Sequence, residues 1–395
     1  MDNRLDRRQL LARSLGFAAM LTGITESCRQ GADPRSARTD RSARAPSAPV
    51  AIQRCLSYEP QDIRSSLNAA LDLIGGLKGL VEGKTVTVKL NATGVGGQCC
   101  GLPAERTYQT HPGFTAALCA ALSDAGAHRI VLAESFYFRN PCEEALGAIG
   151  YDVKGIKAAG AHRVVFKNTR NRDSWPSYLR LKVPDGGLLF PAFDLHQCYG
   201  KTDVFISLAK LKQHVEAGIT CSVKNLFGIT PQALYGDGAP DEDSIRSRVQ
   251  ILHAGRVPVP SGVPVEHDLT VPDNRRVSTY RVPRIVADLC KARPIDLAIV
   301  EGVETIVGGD GPWRRNVHPV QPGIILAGRN PICTDAVCTA VMGYDATAAH
   351  CEPPFPGENH LRLLSEAGVG TNDVDQIEVV GMSLRDAAYR FELTA

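Results

Sequence analysis

The sequence lacks the marks of the common enzyme classes. No G-x-G-x-x-G follows a strand, and the G-x-S-x-G elbow, the P-loop and H-E-x-x-H are absent. Dinucleotide oxidoreductases, serine hydrolases, nucleotide hydrolases and zincins therefore lose their usual evidence. The twelve cysteines contain no C-x-x-C and no ferredoxin spacing, so a chain-borne iron–sulfur cluster is not expected. Charge of one sign is also missing. With 44 basic against 42 acidic side chains the formal net charge is +2, too little for a nucleic-acid partner. No apolar run reaches the roughly 20 residues of a membrane span, so no integral membrane domain is expected. No internal repeat points to a β-rich or repetitive adhesion module.

What remains is a globular composition, 44% hydrophobic and 22% charged over 395 residues, enough for one large α/β domain or two smaller ones. The first 48 residues hold nine arginines and five acids, which leaves the body mildly acidic. "DRRQLLARSLGFAAMLTGI" sets Arg7-Arg8 before a short apolar run, the form of a twin-arginine export signal over residues 1–27. The twin-arginine translocase is then a partner during export, and the expected location is periplasmic or extracellular. Residues 28–48, rich in Ser, Ala, Arg and Pro, read as a disordered linker. Cleavage after Ala45 and lipidation of Cys28 are alternative fates for that end, the second tethering the chain to a membrane. Because that route carries folded proteins, a metal or tightly bound cofactor could travel with the chain, and the sequence names none.

Residues 49–395 alternate strand and helix signals. "KTVTVKLNATG", "RIVLAES", "TDVFISLAKL", "IDLAIVEG", "GIILAG" and "QIEVVG" read as strands. "HPGFTAALCAALSDAGAHR", "PRIVADLCKA", "PICTDAVCTAVMG" and "NHLRLLSEAG" read as helices, and "GITCSVKNLFG" is a further candidate. Strand, helix, strand is a βαβ unit with a right-handed crossover. The expected fold is α/β, a mainly parallel sheet with helices on both faces and an active crevice at the carboxyl ends of the strands. A Pro-, Gly- and charge-rich stretch at about 230–280 reads as a partly irregular, lid-like insertion.

Polar residues gather where these strands end. Lys89 and Asn91 close the first, Glu134 the second, and Glu301 the "IDLAIVEG" strand. Lys210, Lys212 and His214 follow the third strand, and Lys224 and Asn225 return from the candidate helix behind it. His111 opens a helix facing the same rim, and Gly309-Asp310-Gly311 form a turn able to approach a ligand closely. Lysines there would attract a carboxylate or phosphate, and a histidine moves protons near neutral pH. Asp335 reads as a helix-start carboxylate. Cys119, Cys333 and Cys338 read as small buried hydrophobes. Adjacent Cys99 and Cys100, in a Gly-rich loop, are open between a redox pair, half a metal site and plain loop residues.

"VTVKLN", "THPGFTAALCAALSDAGAHRIVLAES", "KLKQHVEAGITCSVKNLFG", "DLAIVEGVETIVGGDGPW" and "AGRNPICTDAVCTAVMGYDA" resemble, in that order, the blocks of the domain-of-unknown-function 362 family over about residues 80–345. Many of its members carry a twin-arginine leader, and others are fused to cluster-binding modules that this chain lacks. A more distant similarity is to the lactate racemase family, in which a comparable sheet edge presents histidines and a lysine to a nickel-pincer cofactor and a hydroxy acid. That similarity implies Lys212 and His214 as a cofactor- or substrate-contacting pair and His111 as a second acid/base. The spacing is not the racemase spacing, so the nickel site is an analogy. Two functions follow as expectations. The first is an exported enzyme acting on a small anionic metabolite, with Lys212, His214, His111 and Lys89 as its chemistry and the remaining strand-end residues as its binding groups. The second is a protein that binds or delivers a metal, cluster or cofactor, with Cys99 and Cys100 as its ligands.

Overall fold

The computed structural model describes residues 39–94, 96–267 and 276–391. The residues read as an export signal, Cys28 and most of the stretch read as a linker lie outside them. Residues 41–47, read as the end of that linker, are fastened to the body. Arg41 N donates to Glu366 O at 2.9 Å and Ser47 Oγ to Gln376 O at 2.6 Å.

Eight strands form the central sheet: β1 (Val50–Arg54), β2 (Thr85–Lys89), β3 (Arg129–Glu134), β4 (Val164–Asn168), β5 (Val204–Lys210), β6 (Leu297–Gly302), β7 (Ile324–Gly328) and β8 (Val379–Gly381). Their spatial order is β8-β1-β7-β6-β5-β2-β3-β4. Only β7 runs against its neighbours β1 and β6; every other pairing is parallel. An apolar run such as "GIILAG" shows burial but not direction. The direction follows from the connection: β6 reaches β7 through an antiparallel ribbon, Thr305–Val307 with His318–Val320, instead of a crossover helix. β1 and β4 are strands beyond those expected. β4 is an edge strand with three of its five residues partly exposed, so its apolar signal is weak.

Period-two alternation divides the strands between two cores. Val86 and Val88 of β2, Ile130 and Leu132 of β3 and Leu297 and Ile299 of β6 pack with α1 (Pro60–Leu73), α2 (Pro112–Asp124), α3 (Cys142–Ala148) and α4 (Val153–Ala159). Phe205 and Ala209 of β5 and Ala298 and Val300 of β6 face α5 (Cys221–Lys224), α6 (Ser278–Ala292), α7 (Pro331–Val341) and α8 (His360–Glu366). The insertion joins this second core through Tyr235, Ile251, Leu252 and Val263. Its described part is therefore packed, although only short helical turns give it regular structure. Among the described residues no helix is long and apolar enough to cross a membrane.

α6 starts earlier than its apolar run suggested and carries Pro283 inside it. Proline removes the N–H that would have bonded the carbonyl of Thr279. Glu358 N supplies a substitute donor to that carbonyl at 3.2 Å, so the helix continues without a buried orphan.

Candidate functional site

Because β2, β3, β5 and β6 are parallel, Lys89, Glu134, Lys210 and Glu301 all emerge at one end of the sheet. Two of the lysines are fully engaged there. Lys210 Nζ donates to Glu301 Oε1 at 2.6 Å, Glu105 O at 3.0 Å and Tyr58 Oη at 3.2 Å, which accounts for all three of its hydrogens. Lys89 Nζ donates to Glu134 Oε1 and Leu90 O, each at 2.6 Å, and lies 3.4 Å from Asn225 Oδ1. Glu134 also accepts from Ala92 N and Ser135 N. Burial pulls both amines down from the ordinary lysine value, and each partner carboxylate opposes the fall.

His111 belongs to the Lys210 group. Its backbone N–H donates to Glu301 Oε1, its Nδ1 caps α2 by accepting from Gly113 N, and its ring stacks on Tyr58 at 3.9 Å. Burial, then Lys210 and Arg106, push it down to about 3, so the imidazole stays neutral. Lys89 and His111 thus both take part in the contacts that join the strand ends.

Lys212 and Lys224 are different. Past β5 the chain turns through a two-stranded hairpin, Gln213–His214 with Gly218–Ile219, and enters α5. Lys212 Nζ has one hydrogen bond, to Asp310 O at 2.9 Å, and faces the Tyr108 ring. Lys224 Nζ stands 4.8 Å over the Phe227 ring. Around them are His214, Glu216, Asp310 and Arg314. His214 Nδ1 is 3.1 Å from Glu216 Oε2, and its Nε2 is 3.5 Å from Asp310 Oδ2. Arg314 stands 3.6 Å from both carboxylates, outside hydrogen-bonding distance. Glu216 Oε1, Asp310 Oδ1 and Arg314 Nε have no partner, an unusual concentration of unmet polar atoms. Lys212, His214, Glu216 and Asp310 are buried, while Lys224 is half-buried and marks the accessible side.

The electrostatics follow from this crowding. Burial lowers Lys212 to about 7 against the pull of Asp310, and lowers Lys224 to about 8 against Glu216 and Asp310. Burial, then the Asp310 carboxylate, raises Glu216 to about 7. Burial, with Lys224 and Lys212 nearby, holds His214 well below the usual imidazole range. Amines and a carboxyl that change protonation near neutrality are what acid/base chemistry requires.

Neighbouring residues explain the rest of the sequence block. The turn after α5 lies directly on the Lys89–Glu134 pair: a Cβ on Gly228 would come within 2.7 Å of Lys89 Nζ. Asn225 Nδ2 donates to Ser207 Oγ at 3.1 Å, which ties that turn to β5. Asp335 caps α5 instead of its own helix, accepting from Ser222 N, Ser222 Oγ and Val223 N. It therefore positions Lys224. The glycines of Gly309-Asp310-Gly311 pack against the Arg314 and Trp313 side chains of their own loop, and Gly308 N donates to Gln213 Oε1, docking that loop on the hairpin. Asn91 accepts from Thr110 N through its backbone, while its Oδ1 is unpartnered.

Glu216 and Arg314 were not among the sequence candidates. The signal for Glu216 was its place two residues after His214, the same-face spacing of extended chain. Arg248 and His253, from the insertion, flank Phe227 and add positive charge or a neutral imidazole beside Lys224. Cys99 and Cys100 Sγ lie 3.8 Å apart, and among the described residues they belong to no group of three ligand side chains. Among the described residues nine of the ten free cysteines are buried, Cys119, Cys333 and Cys338 included, in line with the reading of those three as small hydrophobes. A cavity of about 480 Å³ lies elsewhere, where Arg172 pairs with Glu242, Arg180 pairs with Asp194, and the Tyr178 hydroxyl donates to Glu242.

Residues 86–340, from β2 to the last turn of α7, match the family described as domain of unknown function, DUF362. The chain belongs to this family. The DUF362 match contains the hairpin, α5 and the Asp310 loop, so every residue of the unsaturated cluster lies within it. No curated protein matches the chain. Among solved structures it is similar to a Thermotoga maritima protein (11% identity, 68% of this chain and 56% of that one, TM-score 0.35). It is also similar to the lactate racemase apoprotein of Thermoanaerobacterium thermosaccharolyticum (14% identity, 70% and 54%, TM-score 0.34). The chain spans about half the length of these two structures.

Proposed function

We propose that this DUF362 chain is an enzyme that takes a small anionic metabolite at the carboxyl edge of its sheet and moves a proton there with lysine and histidine chemistry. One observation carries the reading: Lys212, Lys224, His214, Glu216, Asp310 and Arg314 converge on a largely buried site in which several hydrogen-bonding atoms have no protein hydrogen-bond partner. Lys212, with donors to spare, and Arg314 bind the carboxylate or phosphate of the substrate. Lys224, at the accessible side, is the acid/base, and the neutral imidazole of His214 stands beside it. Lys89, Lys210 and His111 keep the strand ends in register beneath them. The reading also places the activity outside the cytoplasm, on the strength of Arg7-Arg8.

The test is exchange of carbon-bound hydrogen in D2O, followed by NMR, over a panel of small hydroxy, keto and phosphorylated acids. Exchange is expected with one of them, and Lys224→Gln should slow it about a hundredfold or more. Binding of none of these acids, or exchange untouched by Lys224→Gln, would remove the proposal. A second reading, a carrier that delivers a metal or cluster, draws on the exposed Cys100 beside buried Cys99. It requires a chromophore or stoichiometric metal in the purified protein that disappears in the Cys99→Ser, Cys100→Ser variant.

A further inference from the structure

The geometry points to His214, Glu216 and Asp310 as a binding site for a first-row divalent cation of the Mn2+ or Zn2+ type. One ligand atom from each lies within 4.8 Å of the others. The three come from two separate segments, the hairpin after β5 and the glycine-rich loop of the β6–β7 ribbon. Those segments are fixed to each other by Gly308 N donating to Gln213 Oε1 at 2.7 Å and Lys212 Nζ donating to Asp310 O at 2.9 Å. The donor atoms are therefore positioned by the frame rather than by one another.

Two further observations separate this trio from an ordinary acidic cluster. Glu216 and Asp310 are only 4% and 6% exposed, yet Glu216 Oε1 and Asp310 Oδ1 accept no hydrogen bond. Arg314, the guanidinium between them, stands 3.6 Å from each and leaves its own Nε unpartnered. Buried carboxylate oxygens left in that state are costly unless a cation completes them. Glu216 N donates to His214 Nδ1 at 3.2 Å, so the lone pair of the neutral ring lies on Nδ1, 3.1 Å from Glu216 Oε2, and Nε2 lies 3.5 Å from Asp310 Oδ2. One imidazole and two carboxylates suit Mn2+, Fe2+ or Zn2+ better than a soft, thiol-seeking ion. Lys212, Lys224 and Arg314 oppose a cation from the other side, so the binding must be measured up to millimolar metal. The inference needs only the trio and holds whether or not Lys224 moves a proton.

The experiment uses the full chain, folded in the cytoplasm, dialysed against chelator and titrated with MnCl2 under electron paramagnetic resonance, with ZnCl2 as competitor. One equivalent of Mn2+ should bind and be displaced by Zn2+. Glu216→Gln and Asp310→Asn, both near-isosteric, should each weaken it about tenfold or more. The double variant should bind none, with thermal unfolding verifying the fold of each. Arg314→Gln removes a charge that opposes the cation: retained or tighter metal binding supports the site, whereas loss of binding in that folded variant counts against it. Lys224→Gln should keep its metal, so a failed exchange assay and a failed metal site are distinguishable. Absence of binding at millimolar Mn2+ and Zn2+, or binding that survives Glu216→Gln with Asp310→Asn, would overturn the inference.

Discussion

Four lysines leave the carboxyl end of this sheet, and they meet two kinds of surroundings. Lys89 and Lys210 are each locked to one glutamate at 2.6 Å and to further acceptors. Lys212 and Lys224 share their space with two carboxylates, an imidazole and a guanidinium, none of which closes a short ion pair with them. A buried ion pair with every hydrogen satisfied is a fixed part of the frame. A buried group of charges with atoms left over is poised for something outside the chain. The difference between the regions is hydrogen-bond saturation, since both are buried and both are charged.

The comparison can be broken by substitution. The largest effect should come from the saturated region: Glu301→Gln leaves Lys210 buried without its counter-charge and should cost about 3–5 kcal/mol in denaturant unfolding. Lys212→Met should cost about 1 kcal/mol or less, since it removes one hydrogen bond and supplies an apolar chain of similar reach. Equal losses in the two variants would erase the distinction. A smaller effect, visible only against pH, belongs to Asp335, whose carboxyl burial raises to about 7 against three hydrogen bonds. Its folded form holds a proton that the unfolded chain releases from about pH 3.8, so its contribution is fully present below that pH and is lost as pH rises toward 7. Asp335→Asn should accordingly flatten the fall in stability over that window; an unchanged slope would rule the assignment out. The smallest effect is expected at Cys100, where replacement by serine should move stability by no more than about 0.5 kcal/mol and leave metal and acid binding as they are.

The frame was legible in the sequence because apolar runs, capping residues and strand-end polar residues are local signals. "KTVTVKL", "TDVFISLAKL" and "IDLAIVEG" gave three adjacent parallel strands and the end at which their polar residues gather. What could not be read locally was pairing. Lys89 and Lys212 look alike at a strand end, and only the fold brings Glu134 to one and Asp310 to the other. Asp335 reads as the cap of its own helix, whereas packing turns it to α5. The reversed direction of β7 is equally invisible in "GIILAG", because burial on both faces is the same for either direction. Glu216, in the hairpin, was within reach through its spacing from His214.

The central claim is that the unsaturated cluster, and not the saturated pairs or the open surface cavity, is where ligands bind. A crystal structure of the folded chain soaked with MnCl2 and a mixture of small hydroxy and phosphorylated acids tests it directly. The account predicts metal density between His214, Glu216 and Asp310 and an acid within hydrogen-bonding distance of Lys212 or Lys224. Ligand density confined to the cavity lined by Arg172, Tyr178 and Arg180, with the cluster unchanged, would contradict it.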